Sequence, residues 1–253
     1  MAFIPNTREF QGSQSDAIAF DAGLRAYMLR VYNWMASGLA LTGIVAILIA
    51  NSSAIDYLYR PVAVYGGTSY QITGLGYLAI FAPLGFVLLL SFGINRLSTA
   101  AAQAVFWAYC AVMGASLTSI FLVYTDTSIA RTFFITAGTF AAMSLYGYTT
   151  KTDLTKMGSF LMMAVLGLII AMLVNMVVHS QGMDLLISVI GVLVFTGLTA
   201  FRTQRIRNNY ISFAASASPD LAAKRSVLDA LGLYLSFVNL FLMMLRLTGG
   251  RRG

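Results

Sequence analysis

Charge is scarce in this chain: only 10% of its 253 residues are Asp, Glu, Lys or Arg. A water-soluble domain carries about 25%, so too few are present to cover a water-facing surface. A soluble globular protein is excluded. Cysteine is scarcer still. Cys110 is alone and sits inside an apolar run, which excludes an intrachain disulfide and a cysteine-based metal cluster. The nine acids are Glu9, Asp16, Asp21, Asp56, Asp126, Asp153, Asp184, Asp220 and Asp229, and each falls in a tail, a loop or a helix end. With no carboxylate at mid-bilayer, a carboxylate-based proton or cation pump is excluded. The first thirty residues lack a long apolar core and carry Arg8, Glu9, Asp16, Asp21, Arg25 and Arg30. They are expected to be no cleavable signal peptide, with insertion left to the first internal span.

What is abundant is apolar sequence, 58% of the chain, with a mean hydropathy of +0.79. A hydrocarbon core of ~30 Å needs about 20 apolar residues per helix. Seven stretches qualify: 31–51, 75–94, 100–124, 129–149, 157–179, 185–201 and 228–247. The expected fold is all-α, a polytopic membrane protein with a cytoplasmic tail over 1–30 and a seven-span domain over 31–253. Two longer connections are expected as loops, 52–74, rich in Gly and Tyr, and 202–227, rich in Arg. Ser218-Pro219-Asp220 is a helix start, with an N-cap, a proline at the first helical position and an acid in the first turn. Pro83 falls inside the second span and is expected to kink it.

The formal charge of +7 does not mark a nucleic-acid partner, because the sixteen basic residues are scattered over the ends of apolar runs. They suit topology and lipid headgroups. With the N-terminus inside, eleven of them lie on the cytoplasmic side: Arg8, Arg25, Arg30, Arg96, Lys151, Lys156, and five from Arg202 to Arg225. Five lie outside: Arg60, Arg131, Arg246, Arg251 and Arg252. That count favours an N-terminus in the cytoplasm. Seven full crossings leave the last three basic residues outside, whereas a re-entrant last helix would bring them inside. Seven crossings are preferred.

The last span carries a polar stripe. Asp229, Gly232, Ser236, Asn239, Met243 and Arg246 follow a 3-4-3-4-3 spacing, which keeps them on one helical face. Such a face either lets helices approach and hydrogen-bond or lines a wet crevice. Arg202 ends the sixth span. It either snorkels to the interface or pairs with Asp229 at the start of the next helix. His179, the only histidine, suits a helix end better than a pH sensor. Gly114-Ala115-Ser116-Leu117 faintly resembles a membrane serine-protease motif, but small residues in a span serve close packing by default. No enzymatic activity, cofactor or bound metal is expected.

Four stretches together resemble the Bax inhibitor-1 family, in its bacterial YccA/YbhL-like branch. They are AMSLYGYTTKTDL at 142–154, GSFLMM at 158–163, GLTAFRTQ at 197–204, and LGLYLSFVNLFL at 231–242 followed by Leu245-Arg246-Leu247. The resemblance implies a seven-helix bundle with the seventh helix central, in a bacterial inner membrane. It also implies a pH-sensitive calcium leak, a stress-response role in eukaryotic relatives, and in bacteria a membrane-anchored AAA protease as partner. In the leak model two aspartates, on the sixth and seventh helices, share a proton that controls opening, as close carboxylates do. Here the first of those positions is Arg202 and the second is Ser236. Two acids have become a base and a hydroxyl, neither of which titrates near neutral pH. The positions carry over; the roles do not. The expectation is therefore an ion-leak or homeostasis protein, for calcium or another cation, without the usual acid switch. Arg202, Asp229, Ser236 and Asn239 are its candidate path and gate. The alternative is a regulatory partner of a membrane-anchored AAA protease or another membrane complex that transports nothing.

Overall fold

A computed structural model describes residues 7–64, 67–93, 96–213 and 218–250, with side chains described from residue 21 onward except at 63–64, 67–69 and 213. In chain order the elements are α1 (Thr7–Ala50), α2 (Ile55–Leu58), β1 (Tyr59–Val64) and β2 (Gly67–Ile72). They are followed by α3 (Gly74–Gly93), α4 (Thr99–Leu117), α5 (Ser119–Val123), α6 (Asp126–Thr149), α7 (Thr155–Val178), α8 (Gln181–Phe213) and α9 (Pro219–Thr248). Seven helical segments are long and apolar enough to cross a membrane: α1 from Asp21, α3, the α4–α5 pair, α6, α7, α8 and α9. Outward they present a belt of large apolar side chains, including Phe92 at 82% and Val177 at 80% exposed. No water-soluble monomer leaves so much contiguous apolar surface bare. The protein is an all-α polytopic membrane bundle.

α9 is the most buried of the seven. It packs on α8, α1, α6 and α4, and Leu233, Tyr234 and Leu240 on it are wholly enclosed. Its start is as expected: the Ser218 side chain accepts from the Leu221 amide at 3.3 Å, with Pro219 in the first turn. α8 and α9 run antiparallel for their whole shared length. Asp184 at the start of α8 meets Arg246 near the end of α9 at 3.6 Å. Thirty residues of α9 rise ~45 Å, more than a bilayer core. The last helix is therefore long enough to cross completely, as seven crossings require.

Three boundaries differ from the sequence reading. The first span begins well before residue 31, because Leu24, Tyr27 and Met28 recur at helical spacing and bury themselves in the main core at 7%, 4% and 5% exposure. The inner third of the expected tail is thus part of the bundle. The second difference is the connection over 52–74, which holds an antiparallel hairpin. Tyr59 pairs with Ile72 and Val64 with Gly67, and a Gly-Gly pair between Tyr65 and Thr68 is the sequence signal for it. Third, most of the expected basic loop is helix. α8 continues to Phe213 because Thr203, Gln204 and Ile206 are buried on it, so Arg202, Arg205 and Arg207 are helical residues.

Candidate functional site

The site is the seam between the second half of α8 and the first half of α9. Its register is set by small residues facing large ones. A Cβ placed on Gly191 would lie 2.8 Å from Met243 Cγ and Sδ, and one on Gly232 would lie 2.7 Å from Arg202 Nη1. The stripe on α9 is thus turned toward α8, with Gly232 as the seat for the Arg202 guanidinium. Its Nε is buried and has no hydrogen-bond partner.

Arg202 does not pair with Asp229. Among the described residues no ion pair within 4.0 Å joins them. The register places Gly232, not Asp229, opposite the arginine, and three residues of helix rise ~4.5 Å. Asp229 instead accepts a hydrogen bond of 2.7 Å from Tyr27 Oη. The Tyr27 ring is held against Tyr210, centroids 5.1 Å apart. Positive charge reaches Asp229 from Arg205 and Arg225. Tyr27 escapes sequence reasoning because the segment around it reads as a polar tail; its only signal is the Leu24/Tyr27/Met28 spacing.

Ser236 and Asn239 are occupied by their own helix. Ser236 Oγ donates to the Gly232 carbonyl at 3.2 Å and the Asn239 amide to the Leu235 carbonyl at 2.8 Å. Ser236 is 1% exposed. The stripe is a packing face in this conformation, not the lining of a wet crevice: the cavities described touch α9 only at Phe237, Val238 and Phe241. Among the described residues three buried polar atoms lack partners, Arg202 Nε, Thr196 Oγ1 and Tyr109 Oη. Each costs on the order of 1–3 kcal/mol in a place without water.

Around the seam, polar side chains fasten α8 to its other neighbours. Gln204 accepts from the Leu154 amide at 2.8 Å and donates to the Thr152 carbonyl at 2.7 Å, which fixes the turn between α6 and α7. Thr203 Oγ1 lies 3.4 Å from Tyr32 Oη and 3.5 Å from Ser144 Oγ. Gly147 lets the backbone of α6 close on the backbone of Ala200. In that same turn Asp153 Oδ1 accepts from the Thr155 hydroxyl at 2.6 Å and its amide at 2.9 Å. These two bonds hold the Asp153 carboxyl below the usual carboxylate range. A second polar junction, missed in the sequence, joins α1, α4 and α9. There Thr42 Oγ1 is 2.7 Å from Tyr234 Oη and 2.9 Å from the carbonyls of Gly38 and Cys110. Ser116 and His179 do not bond one another; the His179 ring lies 3.0 Å from the Val177 carbonyl. Among the described residues no three His, Cys, Asp or Glu side chains converge.

Known proteins share this chain along nearly its full length. The family described as inhibitor of apoptosis-promoting Bax1 matches residues 24–253. An uncharacterized protein of Rickettsia prowazekii is 46% identical over 233 residues, 92% of this chain and 93% of its own. The inner membrane protein YbhL of Escherichia coli is 46% identical over 231 residues, 91% of this chain and 94% of its own. An uncharacterized protein of Caulobacter vibrioides is 41% identical over 236 residues, 93% of this chain and 92% of its own.

Proposed function

The chain belongs to the Bax inhibitor-1 family, and from that membership we propose that it is a non-enzymatic ion-leak protein whose α8–α9 seam is shut and carries no proton switch at Arg202 and Ser236. Its place is the bacterial inner membrane, with the N-terminus in the cytoplasm. The name of the Escherichia coli relative supports the membrane, and the eleven-to-five split of basic residues supports the orientation.

One observation carries the reading: a guanidinium fills the seam against Gly232 and, among the described residues, no acid pairs with it. A calcium ion brought to ~4 Å from it would meet repulsion on the order of 8 kcal/mol at an effective dielectric of about 20. That is enough to close the stripe to divalent cations. The Ser236 hydroxyl donates to its own helix and, buried in the seam, is closed off from an arriving ion. Asn239 is likewise tied to its own helix through its side-chain nitrogen, and Asp229 and Tyr27 clasp the end of the seam.

The test is calcium flux from proteoliposomes, comparing wild type with the double variant Arg202→Asp/Ser236→Asp. Wild type is expected to show no acid-modulated calcium leak, and the double variant to acquire one. An acid-modulated leak in wild type that the double change fails to raise would sink the proposal. The closed seam also favours a second reading, a non-transporting partner of a membrane-anchored AAA protease. Silence of both forms in the flux assay, together with co-purification with such a protease, would select it.

A further inference from the structure

The largest cavity described, about 980 Å³, lies between α1 and α6 and reaches α9 only at Phe237. It is a groove rather than a chamber, and it opens sideways where lipid would be. On α1 its wall runs from Arg25 through Tyr32, Ala36, Ala40 and Gly43 to Ile47, all in helical steps on one face. Those twenty-two steps rise ~33 Å, about the depth of the ~30 Å hydrocarbon core. The small residues in the middle hold the groove open: a Cβ at Gly43 would meet no atom within 4 Å. The floor is aromatic, with the Phe140 and Phe237 rings 5.5 Å apart.

The groove is apolar along its length and charged at one end. Arg25 stands at that mouth, exposed and without an ion pair among the described residues. Arg207, the nearby arginine of α8, is already spent on the Tyr148 carbonyl. Among the described residues, the mouth therefore offers one uncommitted cation at headgroup depth above a slot of acyl-chain shape.

We propose that this groove binds one anionic phospholipid, with the phosphate on Arg25 and an acyl chain laid along α1 from Leu29 toward Ala40, one leaflet deep. A second copy of the chain is the poorer occupant, because the outward faces of the spans are apolar and would leave Arg25 buried without an anion. Every lipid supplies the chain; only an anionic headgroup supplies net negative charge for Arg25.

The experiment extracts the full chain from membranes of equal phosphatidylglycerol and phosphatidylethanolamine and counts retained lipids by native mass spectrometry. Wild type should keep one phosphatidylglycerol, preferred about fivefold, the size of a single basic contact at a membrane surface. Arg25→Gln should bring that preference to parity while a lipid is still retained. Ala36→Phe fills the slot and should lose the retained lipid of either headgroup; Ala40→Leu serves the same purpose if the larger change lowers the yield of folded protein. The proposal is overturned if both filled variants retain lipid as wild type does, or if Arg25→Gln keeps the preference. A dimer that the filled variants dissolve would assign the groove to a second copy and overturn it too.

Discussion

Changing Tyr27 to phenylalanine removes one oxygen and leaves the ring in place against Tyr210. What is lost is the 2.7 Å hydrogen bond to Asp229. Hydrogen bonds between membrane helices average about 0.6 kcal/mol in double-mutant cycles, whereas bonds to a charged acceptor in a dry site contribute about 1.5–3. The second figure governs here, since Tyr27 is 4% exposed and water does not replace the lost donor. About 2 kcal/mol is expected, which in a chain of this size lowers the melting temperature by roughly 4–8 °C. Asp229→Asn keeps an acceptor for Tyr27 and should cost less. The assay is thermal unfolding in detergent of wild type, both single variants and the double. A coupling of about 1 kcal/mol or more between the sites is expected. If the two single effects add to within about 0.5 kcal/mol, the clasp contributes nothing and the account of the α1–α9 junction is wrong.

Arg202→Met should stabilise the bundle by about 1–2 kcal/mol, because it removes a buried, unpartnered Nε while keeping the length of the side chain; a lower melting temperature would mean that the guanidinium has an anionic partner. Gln204→Ala should cost about 2 kcal/mol by leaving the Leu154 amide and the Thr152 carbonyl unmet. Faster proteolysis confined to the α6–α7 turn is its signature, and an unchanged cleavage pattern would count against it.

Much of this molecule is legible in the chain before any coordinates. Apolar length alone yields the seven spans, and Ser218-Pro219 marks the start of the last one. The 3-4-3-4-3 stripe correctly places Gly232, Ser236 and Asn239 on one face. What periodicity does not contain is the register of a neighbouring helix. Arg202 and Asp229 are both near the basic end, yet the arginine meets Gly232 because Gly191 against Met243 fixes how far α8 slides along α9. Tyr27 is hidden for another reason. Charged neighbours lower the hydropathy of its segment, although three of its apolar side chains lie in the core. A buried face three residues wide is enough for a helix end and too little for a span.

The centre of the bundle is also, among the seven spans, the last one in the chain. A ribosome adding about 5–20 residues each second must deliver six helices into the bilayer before the one that fills the space between them. Until α9 arrives, Tyr27 lacks Asp229, Thr42 lacks Tyr234, and Asp184 lacks Arg246. Three partners on two earlier helices therefore wait on one late helix. When it comes its far end is latched, the Gly250 amide bonding Ser128 Oγ at 2.7 Å and the Gly250 carbonyl accepting from Thr125 at 3.1 Å. A transcript cut short before that helix would yield six inserted helices without their common core, a substrate for membrane quality control rather than a smaller version of the protein.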